Sequence, residues 1–379
     1  MVGTQTQHRA VTGLFSVNLS RSDSPQPAAP FDVTLLALTR VRGLGRAGIA
    51  AIADEFGDLG KVWFAQPARI HAALVRSKTP NAERIAADLV KATDELLQQG
   101  AEEVERLASQ NVTVLHRSQL PNRLQGIPDA PRWLFVEGNV DALFGQPVVA
   151  IVGTREPTMD GMRAATVVTR IASAYPVTVV SGLAEGIDAV AHRVSLQEGV
   201  PNVAFLGHGV DVFFPAQTVA IRNAIVEANG AVATEYLPKE RYQRQYFIDR
   251  NRLQAALADL VIPIQANTKG GTAHTVRFAR RYERLILGIR WNGANGILTD
   301  LERNDVPIAD IAAPEGQRYV DMVIRNLADR AGKETFGLAR VERLLLSELR
   351  QRNIRDEDVA QLFEVLAHLR ESDQHGKSN

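Results

Sequence analysis

The sequence predicts an α/β protein built on a doubly wound, mostly parallel sheet. Three observations predict it. Short apolar runs recur between 148 and 290, at VVAIV, VTVVS (177–181), NVAFL (202–206), AVATE (231–235), DLVIPI (259–264) and LILGI (285–289). Helical patterns such as GIDAVAHRVSLQEG and GTAHTVRFARRYER lie between them. Glycine-bearing turns follow three of the runs, at Gly153-Thr154-Arg155, Ser181-Gly182 and Lys269-Gly270-Gly271-Thr272. Short strands alternating with helices imply right-handed crossovers, hence parallel strands with helices on both faces. Ligands of such sheets bind beyond the carboxyl ends of the strands, and all three turns fall on that edge.

In chain order, residues 1–30 are polar and rich in Ser, Pro and Gln, which predicts a flexible arm. Residues 31–112 read as a helical domain. FDVTLLALTRV is helical in period, RGLGRAG is a glycine-punctuated turn, and IAAIADEF resumes the helix. The segment 82–112 reads as one or two amphipathic helices, with VTVLH a strand candidate after them. Residues 113–310 hold the sheet. Residues 311–379 are charged and helical in pattern, ending in the polar tail ESDQHGKSN.

Composition narrows the function classes. At 379 residues the chain has room for two or three domains, and 45% hydrophobic with 23% charged residues is ordinary for a globular protein. No apolar run approaches the length of a membrane span, and the N-terminus lacks the apolar centre of a secretory signal, so no membrane partner is expected. Cysteine is absent, which excludes disulfides and thiolate metal sites and fits a cytoplasmic protein. Net charge is zero, so nucleic-acid binding can come only from local clustering. Residues 239–252 (KERYQRQYFIDRNR) carry five Lys/Arg against two acids, and residues 269–290 carry six against one.

The turn after VVAIV leads into a helix, a placement that aims backbone N–H groups at an anion. The dinucleotide fingerprint G-x-G-x-x-G is missing, as are the P-loop, H-E-x-x-H and G-x-S-x-G patterns. Neither a cofactor, a metal nor catalysis is expected, and a binding site is the simpler reading. Phe247, Asp249, Arg250, Asn251 and Arg252 stand where a loop enters the helix LQAALA. Guanidinium groups bind phosphate bidentately and an aromatic stacks on a base, so this is either a single-strand contact set or a solvated basic loop with one buried aromatic. Arg277, Arg280, Arg281 and Arg284 share a helical face, as a backbone-tracking stripe or as a solvated outer surface. Asp188 and His192, four apart, form either an acid–base pair or a structural hydrogen bond, and no chemistry is assigned to them. The turn Gly43-Leu44-Gly45 suits either a DNA phosphate or a plain helix–helix connection.

The blocks VAIVGTR, TVVSGLAEGIDAVAHR, VAFLGHGVDVFFP and YFIDRNRLQAALADLVIPI, in that order and spacing, resemble the DNA-processing protein DprA (Smf) family over roughly 145–290. The Gly43–Gly45 turn with EFGDLGKV is similar to the helix-hairpin-helix or SAM-like unit that precedes this core in the family. The resemblance implies an extended Rossmann-like fold of the SLOG superfamily that binds and shelters single-stranded DNA. It also implies delivery of that DNA to the recombinase RecA in natural transformation, a homodimer and no enzymatic activity. Carried over by position, Gly153, Thr154, Arg155, Ser181 and Gly182 line the anion pocket. Arg250, Asn251 and Arg252 belong to the DNA contact set, with both arginines on phosphates, and Phe247 stacks on a base. Lys269, with Gly270, Gly271 and Thr272, closes the pocket.

The chain departs from the family pattern in three places. Gln265 and Gly270-Gly271-Thr272 stand where an acidic residue and a Ser-Gly-Ser-like turn are usual, IRWNGANG replaces a Pro-Gly segment, and the C-terminus lacks a winged-helix pattern. The alternative reading is a nucleotide-binding sensor of the same superfamily, serving antiviral defence. A nucleotide-cleaving relative ranks lower, because His274 to Arg281 contain no glutamate.

Overall fold

A computed structural model describes residues 29–335 apart from 146, 269 and 293–295, with side chains described to Ala331. The arm expected at 1–30 and the helices expected after 335 therefore fall almost wholly outside the described residues.

Five helices open the fold: α1 (Phe31–Thr39), α2 (Arg46–Phe56), α3 (Pro67–Arg76), α4 (Ala82–Lys91) and α5 (Thr93–Ser109). The segment 82–112 thus yields two helices, divided at Ala92. Leu35, Leu38, Ile49, Ile52, Ile70, Ile85 and Leu107 meet in an apolar cluster that also takes in Trp133 and Phe135. The helical unit is seated on the sheet through those last two side chains together with Val112.

The sheet begins with β1 (Val112–His116), which leads through the short α6 (Asn122–Gln125) to β2 (Trp133–Gly138). Then follow β3 (Val148–Val152), α7 (Met159–Ser173), β4 (Thr178–Ser181), α8 (Ile187–Gln197), β5 (Asn202–Phe205), α9 (Val219–Glu227), β6 (Ala231–Thr234), α10 (Arg244–Leu257), β7 (Leu260–Pro263), α11 (Gly271–Arg281) and β8 (Leu285–Ile286). The eight strands lie in the order β1-β2-β6-β5-β4-β3-β7-β8. Strands β3 to β8 pair in parallel, whereas β2 pairs antiparallel with both β1 and β6. Alternation along β3 shows why the sheet is covered on both sides. Val148, Ala150 and Val152 face the cluster containing Leu253 and Leu257 of α10, while Val149 and Ile151 face Ala165 and Val168 of α7.

All six expected sheet strands form, but LILGI divides. Leu285–Ile286 closes the large sheet, and β9 (Gly288–Arg290) leaves it to pair with β10 (Ile308–Asp310) beyond α12 (Gly296–Glu302). Helix α13 (Pro314–Thr335) then packs Val320 and Ile324 under the sheet. Among the described residues no helix is long and apolar enough to cross a membrane.

The order of pairing positions the site. From β3 the chain moves outward through β4, β5 and β6, then returns to lay β7 against the other side of β3. The turns leaving β3 and β7 therefore part at the switch point, where an open sheet leaves a crevice.

Candidate nucleic-acid interface

At that point lies an open crevice of about 880 Å³, lined by the turn Gly153–Glu156, the first half of α10, and the start of α11 at Gly270–Thr272. Its β3 side is held by the backbone. Thr154 donates its N–H to the Gln265 carbonyl at 2.7 Å and accepts the Ile187 N–H at 3.1 Å, tying β3 to the turn after β7 and to the start of α8. Gly153 has no space for a side chain, since a Cβ there would stand 2.5 Å from Ile187 Cγ1. That close approach leaves Arg155 on the crevice rim, exposed, with its guanidinium 4.8 Å from the centre of the Phe247 ring.

The contact set expected in a loop is helical: α10 begins at Arg244. The loop reading fails because QYFIDRNR is polar and gives little apolar period before LQAALA. Residues two apart on a helix diverge by about 200°, so the two arginines part. Arg250 is buried beneath the crevice and donates to the carbonyls of Gly182 and Phe205, bracing the ends of β4 and β5. Burial lowers its pKa to about 10, opposed by the neighbouring Asp188 carboxylate. Arg252 points away and pairs with Glu235 at 2.6 Å and Asp129 at 4.0 Å. Asn251 is buried and donates to the Gly271 carbonyl at 3.1 Å, fixing the start of α11 against α10.

The remaining expected residues divide similarly. Gly270, Gly271 and Thr272 line the crevice, and among the described residues no side chain caps α11, so its first N–H groups are placed to meet an anion. Gly182 lines a small adjoining recess with Leu183, Leu206 and Phe247; a Cβ on it would press within 2.6 Å of the Arg250 guanidinium. Ser181 is wholly buried and donates to the Ile151 carbonyl at 2.7 Å, so its hydroxyl is a strand-to-strand tie rather than part of the crevice lining. Lys269 lies outside the described residues. Asp249 accepts from Gln245 at 2.7 Å along the same helix.

Asp188 and His192 do not meet as a pair. Asp188 accepts the Gly182 N–H at 3.1 Å, and burial raises its pKa against the pull of Arg250. His192 bonds through Nδ1 to Asn202 Oδ1 at 3.0 Å, and burial lowers its pKa to about 4. The arginine stripe on α11 is also dispersed. Arg280 pairs with Asp300, Arg281 with Asp129, and Arg284 donates to the Arg123 and Ala256 carbonyls. Those three guanidinium groups hold neighbouring segments together, while the exposed Arg277 meets His274 Nδ1 at 2.7 Å on its own helix.

Sequence reasoning missed Phe214, Tyr242, Arg244, Asn267 and His274, all of which line the crevice. The signal for two of them stood in the basic run at 239–252, where a tyrosine lies between Arg241 and Arg244. Arg155, Arg241 and Arg244 are exposed and make no ion pair with any described residue.

Residues 111–295 match the family described as DNA recombination-mediator protein A. Protein Smf of Synechocystis sp. is 30% identical over 257 residues, covering 67% of this chain and 63% of the relative. DNA processing protein DprA of Streptococcus pneumoniae is 34% identical over 177 residues, covering 47% of this chain and 62% of the relative. The chain thus spans a little under two thirds of the length of those relatives. Among solved structures, DNA processing protein A of Helicobacter pylori, described for its single-stranded DNA binding mode, superposes with a TM-score of 0.51 at 26% identity over 57% of this chain and 97% of that one. The Streptococcus pneumoniae DprA structure superposes at 0.56 and 22% identity, covering 74% of this chain and 94% of that one, which speaks to the fold. The core of the chain, residues 111–295, is that of the DprA/Smf family of DNA-processing proteins.

Proposed function

We propose that this protein binds single-stranded DNA in the switch-point crevice and serves recombination by sheltering and delivering that strand, without catalysing a reaction on it. The observation that carries the reading is Arg155. It is an exposed guanidinium stacked on Phe247, with no acidic partner among the described residues, facing the uncapped start of α11 across the crevice. A cation without a counter-charge beside an aromatic ring suits the alternation of phosphate and base along a single strand. The family description as a recombination mediator supports delivery to a RecA-type recombinase, and a homodimer joined through the core accompanies that reading. DNA uptake in natural transformation is the setting it fits best.

The test is fluorescence anisotropy with labelled oligo-dT of about 30 nucleotides, at about 50 and 200 mM salt. Affinity should fall steeply with salt, and Arg155→Ala should weaken binding roughly tenfold or more at the lower salt. Salt-independent binding, or no binding to oligonucleotides, would overturn the proposal and return the crevice to a small nucleotide.

A further inference from the structure

Aromatic side chains continue outward from the crevice. Phe214 lies 6.1 Å from Phe247, and Tyr242 lies flat on Phe214, with ring centres 3.7 Å apart and planes inclined by 16°. The inner ring is fixed from behind. Phe214 meets His208 edge-on at 6.5 Å, and that buried imidazole is hydrogen-bonded to the Gly209 and Phe214 carbonyls. The outer ring is open, since Tyr242 is 46% exposed. Arg241 and Arg244 flank it, both exposed and both without an ion pair to any described residue.

A tyrosine that merely covered Phe214 would need no such flanks. One open aromatic face on a rigid backing ring, with an unpaired arginine one residue before it in the chain and another two residues after it, matches what a base and its two phosphates require. We infer that Tyr242, backed by Phe214, stacks a nucleobase of the strand at the outer edge of the crevice, with Arg241 and Arg244 on the flanking phosphates. The inference rests on the single-strand reading of the crevice and extends its footprint along residues 241–244. Stacking of this kind is tolerant of base identity, so the platform lengthens the contact without adding sequence preference.

The experiment compares wild type, Tyr242→Ala, Tyr242→Phe and Arg155→Ala on oligo-dT of about 12 nucleotides. Tyr242→Ala should lose roughly tenfold in affinity with unchanged melting temperature, and Tyr242→Phe should bind as wild type. Photocrosslinking of wild type to strands carrying 5-iodouracil at successive positions should mark Tyr242, a readout that needs no variant to fold. Wild-type affinity in Tyr242→Ala together with no crosslink at Tyr242 overturns the platform while leaving the crevice intact if Arg155→Ala is weak. Failure of wild type to bind any strand overturns both readings.

Discussion

Two concave regions of this molecule carry arginines, and they differ in what those arginines face. A groove of about 1170 Å³ between the helical unit and the end of β6 is lined by Arg46, Arg76 and Arg132, near the Gly43–Gly45 turn. Each has an acid within reach: Arg46 pairs with Glu240 at 3.4 Å, Arg76 with Glu55, and Arg132 with Asp54. Arg46 is further engaged by the rings of Tyr236 and Tyr246, at 4.5 and 5.2 Å. At the switch-point crevice Arg155 and Arg244, like Arg241 three residues before it, make no ion pair with any described residue, although Glu156 and Asp188 also line the crevice. Cations in a cavity are thus insufficient evidence of a phosphate site. A phosphate gains most where no carboxylate already holds the guanidinium and where counterions are there to be released.

The largest effect should come from beneath the crevice. Arg250→Ala would leave the Gly182 and Phe205 carbonyls and the Asp188 carboxylate without their buried cation. Removing one partner of a buried charged set costs about 3–5 kcal/mol, so the urea midpoint should drop sharply and DNA affinity should vanish with the fold. An Arg250→Ala protein of wild-type stability would mean that this arginine is there for DNA after all. Arg155→Ala tests the opposite case. Affinity should fall with stability unchanged, and the slope of log affinity against log salt should lessen by about one.

The parallel sheet and the three turns were legible because apolar runs bounded by glycine leave a periodic trace, whereas the lateral order of the strands left none. Strand β2 left none: Trp133 to Val136 are all buried, so the segment shows no alternation, and residues 117–147 carried no strand assignment. The crevice was legible as backbone, at Gly153–Arg155 and Gly270–Thr272, because a sheet edge follows from chain order. What each arginine does was not. Arg250 and Arg252 look alike in sequence, yet the helix phase sends one beneath the crevice and the other to Glu235. Charge partners such as Glu55 and Asp300 lie far along the chain or on other elements, so no local pattern tells a free guanidinium from a spent one.

A smaller effect separates stability from binding by pH. His192 is fully buried between α8 and β5, and its pKa of about 4 against an ordinary 6.5 means that the fold holds it neutral. Asn202 donates its amide to the Val200 carbonyl, which leaves Oδ1 to accept from His192 Nδ1–H. Because the folded pKa is depressed, the unfolded chain binds more protons between pH 4 and 6.5. The contribution is fully present above pH 6.5 and is lost as pH falls toward 4, up to about 3 kcal/mol. Asp188, whose pKa burial raises, titrates with the opposite sign, so the histidine is isolated by difference. Urea unfolding across that range should show a shallower pH dependence in His192→Gln than in wild type. Equal slopes would place the acid sensitivity elsewhere.

The smallest expected effect asks whether the groove can be turned into what the crevice is. Asp54→Asn and Glu55→Gln together remove the acids that hold Arg132, Arg69 and Arg76, while leaving the helical core at Ile49 and Ile52 untouched. These ion pairs are exposed, so their loss should scarcely move the melting temperature. The freed guanidinium groups then stand beside the uncapped start of α2, where Gly45 offers no side chain to the first N–H groups. If counter-charge is what distinguishes the two regions, the double variant should gain roughly two- to fivefold in affinity for single-stranded DNA at low salt. The gain should disappear near 200 mM salt, where counterion release counts for less. It should also survive in an Arg155→Ala background, since it arises at a separate surface. No gain at any salt would show that the groove's shape, and not its acids, keeps DNA out, and the contrast would then rest on geometry instead of charge.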